Sequence, residues 1–147
     1  MSKFRIFVGI SVLIITPLGF LTKAYHGIGA DWVNNSLGGV LYVVFWCLVA
    51  AFLKPQWKEK FIAIGVFTVT SLLEAAQLWH PPVLEWLRSF YLGKVLLGTT
   101  FALSDFPHYA AGALLGALWI KRLRIFTARP MGVDSNNANA LKEKGEF

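Results

Sequence analysis

The sequence predicts an all-α integral membrane protein with four transmembrane helices, an interfacial helix on the outer side, and a short re-entrant or buried segment between the third and fourth spans. Three observations predict it. Of 147 residues, 56% are hydrophobic and only 15% charged, where a soluble domain carries roughly a quarter as charges. The mean hydropathy is +0.56. Several apolar runs approach the ~20 residues that cross a bilayer, and the basic residues gather at their ends. The net charge of +6 is therefore read as membrane topology and not as a nucleic-acid footprint.

The first run, Ile6 to Leu21, follows Lys3 and Arg5 and is interrupted by Thr16, Pro17 and Gly19. It is long for a signal-peptide core and no small-x-small site follows it, which predicts an uncleaved span over residues 4–22. The second span, 36–53, stops at Lys54-Pro55, and the third, 60–79, at His80-Pro81-Pro82; proline marks both ends. Over residues 83–91, Val83, Leu84, Trp86, Leu87, Phe90 and Tyr91 share one helical arc, with Glu85, Arg88 and Ser89 opposite. That pattern predicts an amphipathic interfacial helix. Leu92 to Leu103 is apolar, short and broken by Gly93 and Gly98, which suits a re-entrant or buried piece better than the start of one long helix kinked at Pro107. Ser104-Asp105-Phe106-Pro107 reads as a helix start and opens the fourth span, 105–120, which Lys121, Arg122 and Arg124 follow. The polar stretch 125–147 is expected to be a disordered tail outside a single membrane domain, 1–124.

Orientation follows from counting the basic residues in the connections. A cytoplasmic N-terminus places Lys3, Arg5, Lys54, Lys58, Lys60, Lys121, Arg122, Arg124, Arg129, Lys142 and Lys144 inside, and only Lys23, Arg88 and Lys94 outside. Four spans then leave both termini in the cytoplasm, in a bacterial inner membrane.

The polar residues of the apolar runs converge on the outer side. Glu74 and Gln77, at i and i+3, share a helix face, about 8 and 4 Å below the boundary by helix rise. Asp105 opens the next span with His108 and Tyr109 just inside it, and Arg88 is the nearest cation. An ionised side chain at this depth costs at least about 2.5 kcal/mol, so Glu74 is expected to pair with Arg88 or Asp105. A purely structural version has Asp105 as a helix cap and the Glu74–Arg88 pair as a lock on the interfacial helix. Gly112 and Gly116 have the spacing of close helix packing. Trp32, Trp79, Trp86 and Tyr91, with Trp57 and Trp119, fit two aromatic belts. His26, His80 and His108 show no metal-ligand spacing, and Cys47 has no partner cysteine, so neither a metal nor a cofactor is expected.

The order Glu74-x-x-Gln77, Arg88, Gly98-x-x-Phe101, Asp105-x-x-x-Tyr109-x-x-Gly112-x-x-x-Gly116 resembles the small bacterial membrane family called domain of unknown function 2809, which is similar to VanZ-like proteins. The resemblance covers roughly Tyr42 to Ile120, and Tyr109 stands where VanZ-like sequences carry asparagine. It implies a bacterial inner-membrane protein, with a link to glycopeptide resistance on the VanZ side, and assigns no chemistry.

Two classes of function fit these residues. In one, the cluster binds a lipid headgroup or cell-envelope precursor: Arg88 meets a phosphate while Glu74, Gln77 and Tyr109 orient its neighbours. In the other, Glu74 and Asp105 form an acid/base pair of an intramembrane enzyme acting on a lipid-linked substrate, or a proton path in a small transporter built as a homo-oligomer. No serine or cysteine nucleophile stands beside a histidine, which favours binding. The partners expected are membrane lipids, an envelope precursor or a second copy of the chain.

Overall fold

A computed structural model describes residues 2–97 and 102–128. Every regular element among them is helical. Helix α1 is Lys3–Ala24; Ser2 caps it by accepting the Arg5 N–H at 3.4 Å, and Pro17 lies inside it. A turn with Gly29 at φ 74° leads into α2, Ala30–Trp32. A π-helical turn, Val33–Leu37, joins α2 to α3, Gly38–Leu53, so that one helix runs from Ala30 to Leu53. After it come α4, Glu59–Ala76, α5, Pro82–Ser89, α6, Tyr91–Leu97, and α7, Asp105–Ala128.

Helix α3 is the centre of the bundle, packed against α1, α4 and α7, while α7 also packs against α4 and α1. The core follows from α3's all-round apolarity: Val43, Val44, Cys47, Leu48 and Ala51 are buried, facing Val8 and Ile15 of α1, Ile62 of α4, and Ala113 and Ile120 of α7. Close approach of α7 depends on its glycines. A Cβ on Gly112 would lie 2.7 Å from the Val40 carbonyl oxygen and 2.8 Å from Val43 Cβ; one on Gly116 would lie 2.7 Å from Cys47 Cβ. The small-residue spacing thus meets the α3 backbone directly.

The bundle is apolar outside and carries polar groups within. Leu13, Leu21, Ile64, Leu72 and Leu114 are exposed, while Ser11, Thr70, Glu74, Gln77 and Arg88 are buried. Lys3–Ala24 and Ala30–Leu53 are long and apolar enough to cross a membrane. Only 22% and 33% of their most apolar windows are buried, so these helices present their apolar faces outward instead of serving as a soluble core. Helix α4 carries Glu59, Lys60 and Glu74, and α7 begins at Asp105 and holds Lys121, Arg122 and Arg124 in its last two turns.

Several boundaries differ from expectation. The second helix starts at Ala30 instead of residue 36, because Asn34 Nδ2 donates to the Tyr25 carbonyl at 3.2 Å and Lys23 Nζ to the Asn34 carbonyl at 2.9 Å, pinning the extra turns. Helix α7 runs on to Ala128, past the expected end at residue 120; lysine and arginine are good helix formers, and the extension has contacts of its own. Arg124 pairs with Glu59 at 3.6 Å, donates to the Trp57 carbonyl, and stacks 4.9 Å over the Phe4 ring. Phe126 meets Phe7 edge-on at 5.3 Å. The expected tail therefore yields residues 125–128 to α7, and 129–147 lie outside the described residues.

The expected helix 83–91 is two elements broken at Phe90, whose extended backbone ends α5; Tyr91 begins α6. The orientation of α5 is also informative. Val83, Trp86 and Phe90 are exposed and Arg88 is buried, so α5 turns its charge toward the bundle and its apolar arc away from it. Of the segment Leu92–Leu103, residues 92–97 belong to α6, whereas 98–101, including Gly98 and Phe101, lie outside the described residues.

Candidate functional site

Glu74 is on the last full turn of α4 and is 1% exposed. Three donors hold its carboxylate. Gln77 Nε2 reaches Oε2 at 2.9 Å, one helical turn away, and the Tyr109 hydroxyl from α7 reaches the same oxygen at 2.7 Å. The Ala102 backbone N–H, from the chain just ahead of α7, donates to Oε1 at 2.8 Å. A buried carboxylate is tolerated when its oxygens are satisfied in this way, and here three separate parts of the chain converge on it.

Arg88 is not among them, which corrects the expected Glu74–Arg88 pair. Its guanidinium donates to Glu85 at 3.1 Å and to the carbonyls of Ala76 at 3.2 Å and Trp79 at 3.4 Å. The Ala76 carbonyl also accepts the Trp79 N–H at 3.1 Å, so Arg88 adds a second donor where α4 ends, and a cation there is favoured by the helix dipole. Glu85 is shared with His80 Nδ1 at 2.7 Å. That hydrogen bond first, and Arg88 second, hold the Glu85 carboxyl below its ordinary value of 4.5. Arg88 thus fastens α5 to the end of α4.

A cavity of about 510 Å³ opens in front of Glu74. Gln77 and Tyr109 stand with Glu74 in its wall, Asp105 lies at the head of α7, and Lys23 of α1 and Lys94 of α6 add positive charge. Asp105 interacts electrostatically with Glu74, His108 and Lys23. Gln77 Oε1 is buried and has no hydrogen-bond partner among the described residues. Much of the remaining wall is apolar, including Ile15, Phe20, Phe45 and Leu73, with Thr16, Asn35, Tyr42 and Thr70 adding polar groups.

Of the residues singled out from the sequence, Glu74, Gln77, Asp105 and Tyr109 come together at this cavity; Arg88 supports it from behind, and Gly112 and Gly116 seat α7 on α3. Sequence reasoning overlooked Lys23, Lys94 and Asn35. The first two were visible as members of the short outer list of basic residues, where they counted only toward orientation. Asn35 is carried into the wall by the π turn, a feature common at functional sites that leaves no periodicity to read. Among the described residues, no cluster of three or more histidine, cysteine, aspartate or glutamate side chains is arranged to hold a metal.

An all-helical bundle with two helices able to cross a membrane, and a polar cavity closed by a buried glutamate, is the class of protein these observations define. The chain belongs to the family described as protein of unknown function DUF2809, whose profile matches residues 28–113. That match contains Glu74, Gln77, Arg88, Asp105, Tyr109 and Gly112, and begins earlier than the resemblance read from the motifs alone. No solved structure matches the chain.

Proposed function

We propose that the protein is a multi-pass bacterial inner-membrane protein that binds a phospholipid headgroup or lipid-linked envelope precursor in the cavity before Glu74. In this reading α1, the continuous helix Ala30–Leu53, α4 and α7 are the four spans, both termini are cytoplasmic, and α5 lies at the outer interface. The exposed apolar flanks of α4 and α7 support four spans, and the outward apolar arc of α5 supports the interfacial position.

The observation that carries the binding reading is the division of polar groups around the cavity. Glu74's oxygens are engaged by Gln77, Tyr109 and Ala102, which leaves Lys23, Lys94 and Asp105 to meet a ligand. Two ammonium groups suit a phosphate, and the Asp105 carboxylate suits a hydroxyl or ammonium next to that phosphate. The phosphate role expected of Arg88 passes to the two lysines, because Arg88 is already spent on Glu85 and the α4 carbonyls.

The test is native mass spectrometry of the purified full chain, titrated with phosphatidylglycerol or phosphatidylethanolamine. Lys23→Ala with Lys94→Ala should weaken binding of both, and Asp105→Asn should weaken phosphatidylethanolamine more. Lys23 and Lys94 are exposed; Lys23→Ala also gives up the bond to the Asn34 carbonyl, so each lysine is replaced singly as well. Unchanged lipid binding in all of these variants overturns the reading.

A further inference from the structure

A second hollow, of about 520 Å³, runs along the seam between α3 and α4. Its wall is almost wholly apolar, formed by residues such as Trp46, Val49, Ile62 and Val66. Tyr42, Thr70 and Leu73 belong to its wall and to that of the polar cavity alike. Polar cavity and apolar groove are therefore neighbouring compartments of one trough.

We infer that the groove seats an acyl chain of the same lipid whose headgroup occupies the polar cavity; this rests on the headgroup reading above. Three features choose this occupant over another helix. First, the groove continues from a cavity whose charges suit a phosphate, so its occupant must join a polar end to a long apolar one. Second, its α4 wall extends from Leu73 to Phe61, about 18 Å by helix rise, comparable to the ~15 Å hydrocarbon depth of one leaflet. Third, its floor is bare at Gly65, where an added Cβ would meet nothing within 4 Å. The only side-chain hydroxyl supplied there by α4 is that of Thr70, and it is turned back onto its own helix, donating to the Val66 carbonyl at 2.9 Å. The groove thus offers a saturated chain apolar contact along its length.

Gly65 also supplies the test, since Gly65→Leu fills the groove from a position with free space and replaces a poor helix former by a good one. The delipidated full chain in maltoside detergent is titrated with dipalmitoyl- and with dihexanoyl-phosphatidylglycerol, which share a headgroup and differ in chain length. Because the micelle already removes a palmitoyl chain from water, only packing in the groove separates the two lipids, and the parent protein should prefer the long chain severalfold once each lipid's partition into protein-free micelles is divided out. In Gly65→Leu the preference should vanish while dihexanoyl binding persists; Gly65→Ala should retain it. The thermal midpoint of Gly65→Leu should not fall below the parent's. A parent with no chain-length preference, or a preference that survives Gly65→Leu, overturns the groove. Failure of the headgroup reading looks different: dihexanoyl binding would be absent or insensitive to Lys23→Ala with Lys94→Ala, whatever Gly65→Leu does.

Discussion

Glu74 shows what an acidic side chain requires when it is removed from water. Both carboxylate oxygens accept hydrogen bonds, and one donor is a backbone N–H that cannot turn away. Glu74→Leu should lower stability by about 3 kcal/mol or more, because it strands the Ala102 N–H, the Gln77 amide and the Tyr109 hydroxyl together. Glu74→Gln should cost much less. Its carbonyl can keep the Ala102 N–H, its amide can donate to Gln77 Oε1 once the Gln77 side-chain amide turns over, and the tyrosine hydroxyl can rotate. Tyr109→Phe should cost about 1.5 to 3 kcal/mol, as expected for a hydrogen bond to a charged group. Combined with Glu74→Gln, its effect should be less than additive. Thermal unfolding of the parent and these four variants in one detergent measures all of this, and strict additivity would mean that the two side chains do not share an interaction. The Glu74–Gln77 contact was legible as an i, i+3 spacing. The partner of Arg88 was not, because sequence supplies charges without distances, and Glu85 at i−3 and the carbonyls of Ala76 and Trp79 lay nearer than Glu74.

At the level of helices, the α3–α7 seam is set by the absence of side chains. Gly112→Ala should lower the unfolding midpoint, with overpacking costing about 1 to 3 kcal/mol, since its Cβ would press on the Val40 carbonyl and Val43. Gly19→Ala is the matching control: an added Cβ there meets nothing within 4 Å, so the midpoint should hold or rise. Equal effects at the two positions would place the α3–α7 contact elsewhere. The docking of α5 should depend on acidity. Glu85's folded value lies below 4.5 through its His80 hydrogen bond and then Arg88. The pair's contribution is complete above that ordinary value and is lost as the pH falls through the lowered one. Amide exchange in α5, corrected for intrinsic rates, should accelerate selectively over α3 in that acidic window; parallel change in both helices would show that Glu85 does not hold α5. The apolar runs announced the long helices, but charge did not announce their ends. Lys121 to Arg124 continue α7 because Glu59, Trp57 and Phe4 give Arg124 a place to bind.

For the molecule as a whole, composition made the helical fold and two membrane-competent helices legible, since an apolar exterior must be written in residue types. The cavity was only half legible. Its carboxylate and tyrosine stood out as polar residues in apolar runs, whereas its lysines look like any others near a helix end and its π turn looks like ordinary helix. The proposed topology predicts that reporters fused after Ala128 and at Arg88 signal from opposite sides of the membrane, cytoplasmic and external respectively. A shared side would remove the four-span reading. The contacts of Arg124 have a mechanical corollary. They tie α1, α4 and α7 together at one end of the bundle, while at the other end the cavity lies between α1 and α4. On the proposed reading the bundle is held at the Arg124 end and is looser around the cavity at the other. Spin labels at Leu21 and Leu78 should therefore report a wide, lipid-sensitive spread of distances, while a pair at Phe7 and Phe61 stays narrow. Arg124→Ala should broaden the second pair, loosening that end without altering a residue of the cavity wall.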